Sequence, residues 1–301
     1  MFSYRHAFHA GNHADVLKHT VLIATLDYLL EKDTALTVVD THAGAGLYRL
    51  DGDYAGTSGE ATQGVMRLLA SKGSPGAPAE LAAPLARYLE IVVGDFNPKG
   101  GARIYPGSPF ITQHLLREQD RLKLYELHPT DSRTLSANIA QLDAGRQIAV
   151  LREDGFGSAT KFLPPPSRRA LVLCDPSYEL KSDYARVQGF ITEALKRFAT
   201  GTYAVWYPII PRPEAHDLPR RLKTLATKAG KPWLNAGLTV KSSKIMTTPS
   251  GEAKRPGLPA SGMFLINPPF TLKAQLAEAL PQLVAVLGQD RNAAFSLENG
   301  G

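Results

Sequence analysis

The chain contains a single cysteine, Cys174, among its 301 residues. One thiol excludes both an internal disulfide and a zinc site built from several cysteines. The sequence also lacks an apolar stretch long enough to cross a membrane, and its N-terminus has no apolar signal region. These absences predict a cytoplasmic protein without a membrane partner, in which Cys174 is a small core residue.

The chain does have enough apolar sequence for a full core, together with an excess of positive charge. Hydrophobic residues make up 44% of the sequence, which suffices for one large domain or two modest ones. The formal net charge is +6 at pH 7. That charge favours nucleic acid over a membrane surface as a partner, although it does not prove one.

Seven apolar runs predict strands, and most of the intervals between them have the periodicity of helices. The predicted strands are residues 35–40, 122–126, 147–151, 170–175, 203–207, 234–240 and 263–267. The predicted helices are residues 130–142, 184–198, 213–228 and 272–287, with an amphipathic helix at 14–31 ahead of the first strand. The alternation predicts an α/β fold, Rossmann-like, with a seven-stranded and mostly parallel sheet.

The alternation breaks between the first two strands. Residues 51–104 contain two helix-like pieces, near 62–71 and 79–93, and no evident strand. We predict an inserted helical subdomain there, with residues 1–50 and 105–301 forming the main domain. After the break, Ser108 as N-cap and Pro109 as first helical residue predict another helix. The Gly-, Pro- and Lys/Arg-rich residues 247–259 predict a surface loop.

The tetrapeptide Asp175-Pro176-Ser177-Tyr178 follows a buried strand and is one residue away from the Asp-Pro-Pro-Tyr signature of adenine-amine methyltransferases. An aryl amine is a poor nucleophile because its lone pair is delocalised into the ring. The Asp175 carboxylate and the Pro176 carbonyl can each accept one N–H bond from the amine, while the Tyr178 ring stacks on the base. We therefore predict that these three residues are catalytic.

A second tetrapeptide, Asn267-Pro268-Pro269-Phe270, keeps both prolines and matches that signature as well. It follows the last predicted strand, far from the predicted cofactor turn in the order of the sheet. We predict that it is a strand end leading into the last helix, with catalysis by this tetrapeptide as the alternative.

The first predicted strand leads into the Gly-rich turn Asp40-Thr41-His42-Ala43-Gly44-Ala45-Gly46. A dinucleotide fingerprint starting at Gly44 would require glycine at position 49, where the chain has Arg49. The pattern acid-x-x-x-Gly-x-Gly, with Asp40 as the acid, is instead the form expected for S-adenosylmethionine, which has no pyrophosphate to bind. We predict that this cofactor binds at Gly44 and Gly46.

Acidic residues at the next strand ends strengthen this prediction. Glu126 is placed to bind the ribose hydroxyls, Asp154 to accept from the adenine amine, and Gly155 to allow close backbone approach. Each carboxylate alone could be an ordinary strand end or helix cap. Asp40 in particular could serve only to orient the turn, so it is a weaker candidate than Glu126 for a cofactor ligand.

Four histidines near the N-terminus, His6, His9, His13 and His19, suggest a metal site at first sight. Their spacing fits no standard zinc motif, and Lys18 among them would disfavour a bound cation. We predict no metal, and instead a His and Lys face beside the cofactor and the nucleic-acid backbone.

Together these features resemble the RlmJ family of bacterial 23S ribosomal RNA adenine-N6 methyltransferases over nearly the whole chain. The motifs that carry the resemblance are Ser3-Tyr4-Arg5-His6, residues 8–19, residues 40–46, residues 105–109, residues 115–120, Glu126-Leu127-His128-Pro129, Trp206-Tyr207-Pro208 and residues 260–263.

The resemblance implies methyl transfer from S-adenosylmethionine to N6 of one adenine, adenine 2030, of protein-free or early-assembly 23S RNA. The reaction needs no metal, and the sequence does not reveal the oligomeric state, for which a monomer is slightly favoured. The resemblance further implies that Asp175 accepts from the target amine and that Tyr4 meets the RNA. The residues implied to contact the cofactor are His19, His42, Ser108, Glu126, Asp154, Gly155 and Asp175.

The chain departs from the family at Ser177, which replaces the second proline of the signature. Residue 177 thereby loses the fixed φ of proline and its restriction on the preceding residue. Two alternatives to the RNA enzyme stay open on the sequence, a DNA adenine-N6 methyltransferase and a non-catalytic RNA-binding protein with the same fold.

Overall fold

The computed structural model describes residues 6–51, 59–71, 80–244, 246–247, 253–254 and 257–301. The strands of the main sheet are β1 (Thr37–Asp40), β4 (Arg121–Tyr125), β5 (Ile148–Leu151), β6 (Ala170–Cys174), β7 (Thr202–Ile209), β8 (Trp233–Thr239), β11 (Ala260–Ile266) and β12 (Ala294–Gly300). Their order in the sheet is β12-β8-β11-β7-β6-β1-β4-β5. Strands β5, β4, β1, β6 and β7 pair in parallel. The predicted α/β fold with a mostly parallel sheet is confirmed.

The sheet has eight strands, so the prediction of seven was wrong by one. The additional strand β12 pairs antiparallel with β8 at the edge of the sheet. Most of its residues are exposed, and it contains Glu298 and Asn299, so it lacks the apolar run of a buried strand.

The sheet is covered by helices on both faces. The helices in the described ranges are α1 (His13–Leu30), α2 (Val65–Ala70), α3 (Ala83–Leu89), α4 (Ser108–Leu115), α5 (Pro129–Ala140), α6 (Gly155–Ser158), α7 (Ser182–Arg197), α8 (Pro213–Lys228) and α9 (Leu272–Leu287). Because side chains alternate along a strand, Val38 and Leu171 join the core under α1, whereas Val39, Val172 and Cys174 join the core under α7 and α8. Cys174 is buried there, as predicted.

Helix α1 is more deeply buried than an amphipathic surface helix. Every residue from His13 to Leu26 is buried, including Asp15, Lys18 and His19. The Asn12 side chain caps the helix by accepting bonds from the N–H groups of Ala14 and Asp15. In a helix that is buried all round, a polar side chain without a partner costs free energy, so the partners of Asp15, Lys18 and His19 matter.

The short strands β2 (Leu47–Arg49) and β3 (Ile104–Pro106) pair antiparallel and bring the two ends of residues 51–104 together. Helices α2 and α3 lie within that range, and a wide helical turn at Glu90–Asp95 follows α3. Leu85 and Tyr88 of α3 share one hydrophobic core with α1. The division of the chain into a main domain and an inserted subdomain stays a prediction.

Two local predictions need correction. The N-cap of α4 is Gly107 rather than Ser108, because the Ser108 hydroxyl donates to Asp40 Oδ2 at 2.6 Å instead of capping the helix. Within residues 247–259, the described part includes the short pair β9 (Met246–Thr247) and β10 (Ala253–Lys254), rather than a loop alone. Residues 73–78 and Tyr4 lie outside the described residues.

Candidate active site

A cavity of about 480 Å³ lies at the edge of the sheet where β1, β4, β5 and β6 end. Parallel strands bring their carboxyl ends to one edge, so turns that are distant in sequence meet there. The predicted site residues that line the cavity are Lys18, His19, His42, Gly44, Ser108, Glu126, Asp154, Gly155, Asp175 and Pro176. Of the predicted residues in the described ranges, Gly46 and Tyr178 do not line it.

The turn after β1 is held by Asp40. Asp40 Oδ1 accepts from the His42 N–H at 3.2 Å, and Oδ2 accepts from the Ser108 hydroxyl at 2.6 Å. Burial raises the pKa of Asp40 to about 6. The carboxylate therefore fixes the turn and the start of α4 from beneath the cavity.

Two glycines of the site have different tasks. Gly155 permits close approach, because a Cβ there would lie 2.1 Å from the Thr41 carbonyl oxygen. Gly46 has φ +83, and a Cβ there would lie 2.8 Å from Leu135. Gly46 thus shapes the turn and packs against α5, whereas Gly44 and Gly155 face the cavity.

Glu126, at the end of β4, ties two backbone segments together. Its Oε2 accepts from the Gly44 N–H at 2.8 Å, and Oε1 accepts from the His128 N–H at 2.7 Å. Burial raises its pKa. Each carboxylate oxygen has a further lone pair, so Glu126 can accept a hydrogen bond from a hydroxyl group in the cavity and still keep its bonds to Gly44 and His128.

Asp154 caps α6 and also pairs with an arginine that the sequence did not suggest. Asp154 Oδ1 accepts from the Phe156 N–H at 3.1 Å, and Oδ2 pairs with Arg186 of α7. The Arg186 guanidinium lies 4.4 Å from the centre of the Phe156 ring. Arg186 and Phe156 therefore form part of the cavity wall. They come together only through the packing of α7 on the β5 turn, which no sequence motif indicates.

A chain of buried charges reaches the cavity wall at Lys18 and Asp175. Lys18 Nζ lies 2.6 Å from Asp175 Oδ2 and 2.8 Å from Asp15 Oδ1. Asp15 also lies 2.9 Å from His6 Nε2 and accepts from the Gly11 N–H. Burial alone would lower the pKa of Lys18, but the Asp15 and Asp175 carboxylates hold it well above its usual range. Likewise burial would raise the pKa of Asp15, but the charges of His6 and Lys18 hold it well below its usual range.

Two histidines in the cavity wall are neutral at physiological pH. Burial lowers the pKa of His19 and of His42 to about 3. His42 Nδ1 lies 2.8 Å from the Thr41 hydroxyl, and its ring meets the edge of Phe156 at 4.7 Å. His19 Nδ1 lies 2.8 Å from the Tyr105 hydroxyl. Both rings can therefore offer one neutral donor or acceptor.

Tyr178 lies beneath the cavity rather than in it. Its ring packs between Tyr184, at a centroid distance of 4.7 Å, and Trp206, at 5.9 Å. Its hydroxyl donates to the Trp206 carbonyl at 2.7 Å, and only 3% of the residue is exposed. The predicted stacking of Tyr178 on a base is therefore not the arrangement in this structure. The backbone at Tyr178 has φ +52, a conformation that sequence reasoning could not foresee.

The four N-terminal histidines have separate partners. His9 Nδ1 lies 3.0 Å from Glu60 Oε2, and His13 Nε2 lies 3.0 Å from the Leu258 carbonyl oxygen, while His6 and His19 meet Asp15 and Tyr105. Among the described residues, no three His, Cys, Asp or Glu side chains come together as metal ligands. No helix in the same ranges is long and apolar enough to span a membrane.

Comparison with known proteins gives consistent matches over most of the chain. The model of the family described as "Ribosomal RNA large subunit methyltransferase D, RlmJ" matches residues 33–298. A protein of Escherichia coli strain K12 named "Ribosomal RNA large subunit methyltransferase J" is 44% identical over 283 residues, which cover 94% of this chain and 93% of that protein. A Haemophilus influenzae protein of the same name is 39% identical over 99% of this chain and 98% of its own.

A solved structure shares the fold over nearly the full length. The crystal structure of a Legionella pneumophila protein superposes with a TM-score of 0.80 at 31% identity. The match covers 97% of this chain and 98% of the Legionella protein.

Proposed function

The chain belongs to the RlmJ family of ribosomal RNA large subunit methyltransferases, and we propose that it methylates N6 of one adenine of 23S ribosomal RNA, adenine 2030 in that family's naming. The observation that carries the proposal is the position of Asp175 and Pro176. They lie in the wall of a cavity whose other turns present Gly44, Glu126 and Asp154. The Asp175 carboxylate and the Pro176 carbonyl, which can accept hydrogen bonds from an amine, thus lie beside a pocket that suits a nucleoside cofactor.

The residues present fit S-adenosylmethionine. Gly155 lets the turn after β5 pack directly against the Thr41 carbonyl, Glu126 has spare lone pairs for ribose hydroxyls, and His19 Nε2 is buried without a partner among the described residues. Gly44, Ser108, Asp154 and His42 complete the lining. When bound, the cofactor supplies an electrophilic methyl group on a sulfonium. No metal takes part in the proposed reaction.

Asp175 and Pro176 orient the target amine. The Asp175 carboxylate and the Pro176 carbonyl each accept one N–H bond, which turns the nitrogen lone pair out of the ring plane and towards the methyl group. Lys18 compensates the charge of Asp175, whose side chain is only 14% exposed. The second Asp175 oxygen and the remaining lone pairs stay available for the amine. The amine proton leaves after attack, because the alkylated nitrogen is acidic, so no strong base is required.

The RNA must present its adenine outside the base stack, because the acceptors lie inside a cavity. The net charge of +6 suits a polyanionic substrate. Tyr4 stays a proposed RNA contact, as do Lys18 and Tyr178, although Tyr178 would have to leave its place between Tyr184 and Trp206 to stack on the base. We propose that a monomer acts in the bacterial cytoplasm on protein-free or early-assembly RNA.

The test is methyl transfer from labelled S-adenosylmethionine to protein-free 23S RNA, assembled large subunits, transfer RNA and DNA, followed by nucleoside analysis. We expect N6-methyladenosine from 23S RNA alone and none with Asp175→Ala. Preferential methylation of a DNA hairpin over the matched RNA hairpin would identify a DNA enzyme instead. If S-adenosylmethionine neither raises the melting temperature nor donates a methyl group, the chain is a non-catalytic member of the fold.

A further inference from the structure

A buried chain of three side chains connects the cavity to the 51–104 segment. His19 Nδ1 lies 2.8 Å from the Tyr105 hydroxyl, which in turn lies 3.2 Å from the Tyr88 hydroxyl. All three residues are fully buried. Tyr105 belongs to β3 and Tyr88 to α3, so two of the three members come from the segment and its boundary strand.

The hydrogen positions in this chain follow from its partners. Within the described residues, the Tyr88 hydroxyl has no hydrogen-bond partner other than Tyr105. If His19 Nδ1 donated to Tyr105, and Tyr105 to Tyr88, the Tyr88 hydrogen would be buried without an acceptor, which is costly. The reverse direction uses both hydroxyl hydrogens. Tyr88 therefore donates to Tyr105, and Tyr105 donates to His19 Nδ1.

This direction places the one hydrogen of the neutral His19 ring on Nε2. Nε2 is buried and has no partner in the described ranges, and His19 lines the cavity. A neutral N–H can only donate, so it suits a carboxylate and does not suit an ammonium group. Burial lowers the pKa of His19 to about 3, so this donor does not change near neutral pH.

The cavity must also hold the cofactor's amino-acid tail. In the proposed function, Glu126 and Asp154 take the adenosyl part, and Asp175 takes the target amine. The remaining lining includes His19 of α1 with Gly107 and Ser108 before and at the start of α4. The tail carries a carboxylate, which is the group that an Nε2–H donor would select.

We propose that Tyr88 and Tyr105 are positioning residues that fix the Nε2–H tautomer of His19, and that His19 thereby binds the carboxylate of the cofactor's amino-acid tail. This inference rests on the proposed function. It gives the 51–104 segment a task in cofactor recognition, because α3 supplies the first hydroxyl of the chain. Neither tyrosine touches the cofactor itself.

The test compares two ligands that differ in the tail. S-adenosylhomocysteine has the carboxylate, whereas 5′-methylthioadenosine lacks the whole amino-acid tail. Tyr105→Phe removes one hydroxyl with little change in volume. We expect its affinity for S-adenosylhomocysteine to fall about tenfold, the effect of one lost hydrogen bond to a charged group, and its affinity for 5′-methylthioadenosine to change by less than about twofold.

Tyr203→Phe is the matched control. Tyr203 is also fully buried, but its hydroxyl donates to the Ala194 and Phe198 carbonyls on the other face of the sheet. This variant should lower the melting temperature and leave the ratio of the two affinities unchanged. An equal loss of both ligands in Tyr105→Phe, or no loss, would overturn the proposal.

The ring ¹⁵N shifts of His19 give a second readout that needs no ligand. They should show the hydrogen almost wholly on Nε2 in the natural protein and a measurably larger share on Nδ1 in Tyr105→Phe, with His19→Gln identifying the resonances. A hydrogen on Nδ1 in the natural protein would overturn the inference.

If the natural protein bound neither ligand, the proposed function would fail. If it bound both ligands and Tyr105→Phe left the ratio of the two affinities unchanged, only this inference would fail.

Discussion

Two tetrapeptides of similar composition follow buried strands in this chain. They lie on opposite sides of the sheet along the strand direction, one at the carboxyl ends of the parallel strands and the other at their amino ends, which we call the far edge. Asp175-Pro176-Ser177-Tyr178 follows β6, which runs parallel to β1 and ends at the cavity. Asn267-Pro268-Pro269-Phe270 follows β11, which runs antiparallel to β7, so Ile266 pairs with Tyr203 at the beginning of β7. Strand direction alone thus separates a tetrapeptide at the cavity from one at the far edge.

The two positions also differ in their hydrogen bonds. Asp175 meets Lys18 and has acceptor sites that face the cavity. Asn267 Nδ2 donates to the Ala199 carbonyl at 3.0 Å and to the Gly201 carbonyl at 2.7 Å. The backbone carbonyl of Asn267 accepts from the Thr202 hydroxyl. The first side chain is available to a substrate, whereas the second closes a turn. A match to a short signature therefore has meaning only together with the direction of the strand before it.

Asp175→Ala should have the largest effect of the changes that test this difference. It removes one of the two acceptors that orient the amine, so we expect turnover to fall about a thousandfold or more. Cofactor affinity should fall far less, because the other lining residues remain. Single-turnover methylation and equilibrium binding of S-adenosylhomocysteine measure the two effects separately. Equal losses in both would make Asp175 chiefly a binding residue.

Asn267→Ala should affect stability and leave catalysis alone. The change leaves two carbonyls without their donor and puts alanine at φ +53, where asparagine is better tolerated. We expect a loss of about 2 kcal/mol in the free energy of unfolding. Denaturant unfolding measures this loss, and the turnover per folded molecule should match the natural protein. A turnover that fell with Asn267→Ala would mean that the far edge takes part in the reaction.

The sequence was a good guide to the parallel part of this comparison. Strands such as β6 are continuous apolar runs, and their carboxyl ends necessarily share an edge, so Glu126, Asp154 and Asp175 could be placed together from the sequence. β12 was missed because an exposed edge strand has no apolar run.

Other parts of the site depend on packing and could not be read from local patterns. Arg186 reaches Asp154 from a different helix, and Tyr88 reaches His19 through Tyr105 from α3. The ring of Tyr178 turns inwards because its backbone has positive φ and its hydroxyl finds the Trp206 carbonyl. Such contacts depend on tertiary geometry, for which a single sequence contains no periodic signal.

Acidification should weaken the attraction of the cavity for a positively charged cofactor, and the far tetrapeptide should take no part in this change. Burial raises the pKa of Asp40 to about 6, so this carboxyl gains a proton as the pH falls from 7 to 5. The cofactor's sulfonium and ammonium favour the ionised form. We therefore expect its affinity to be higher above pH 6 and to fall about fivefold below it, which corresponds to roughly 1 kcal/mol.

Titration calorimetry from pH 5 to pH 7 measures this slope, with Asp40→Asn as the control. His19 and His42 stay neutral throughout, because burial lowers the pKa of each to about 3. Burial also raises the pKa of Glu126, which acts in the same direction. An unchanged slope in Asp40→Asn would assign the effect to Glu126 instead.

Ser177→Pro makes the first tetrapeptide more like the second, and it should have the smallest effect. Ser177 is exposed, and within the described residues its N–H donates no hydrogen bond, so proline removes nothing that the fold uses. The ring would restrict Pro176 and residue 177 to fewer conformations, which should hold the Pro176 carbonyl closer to its working position. We expect turnover to rise about twofold with little change in cofactor affinity.

Ser177→Ala is the matched control for Ser177→Pro, because it removes the hydroxyl without stiffening the backbone. A methylation rate that was the same in all three proteins would show that loop rigidity does not limit the reaction.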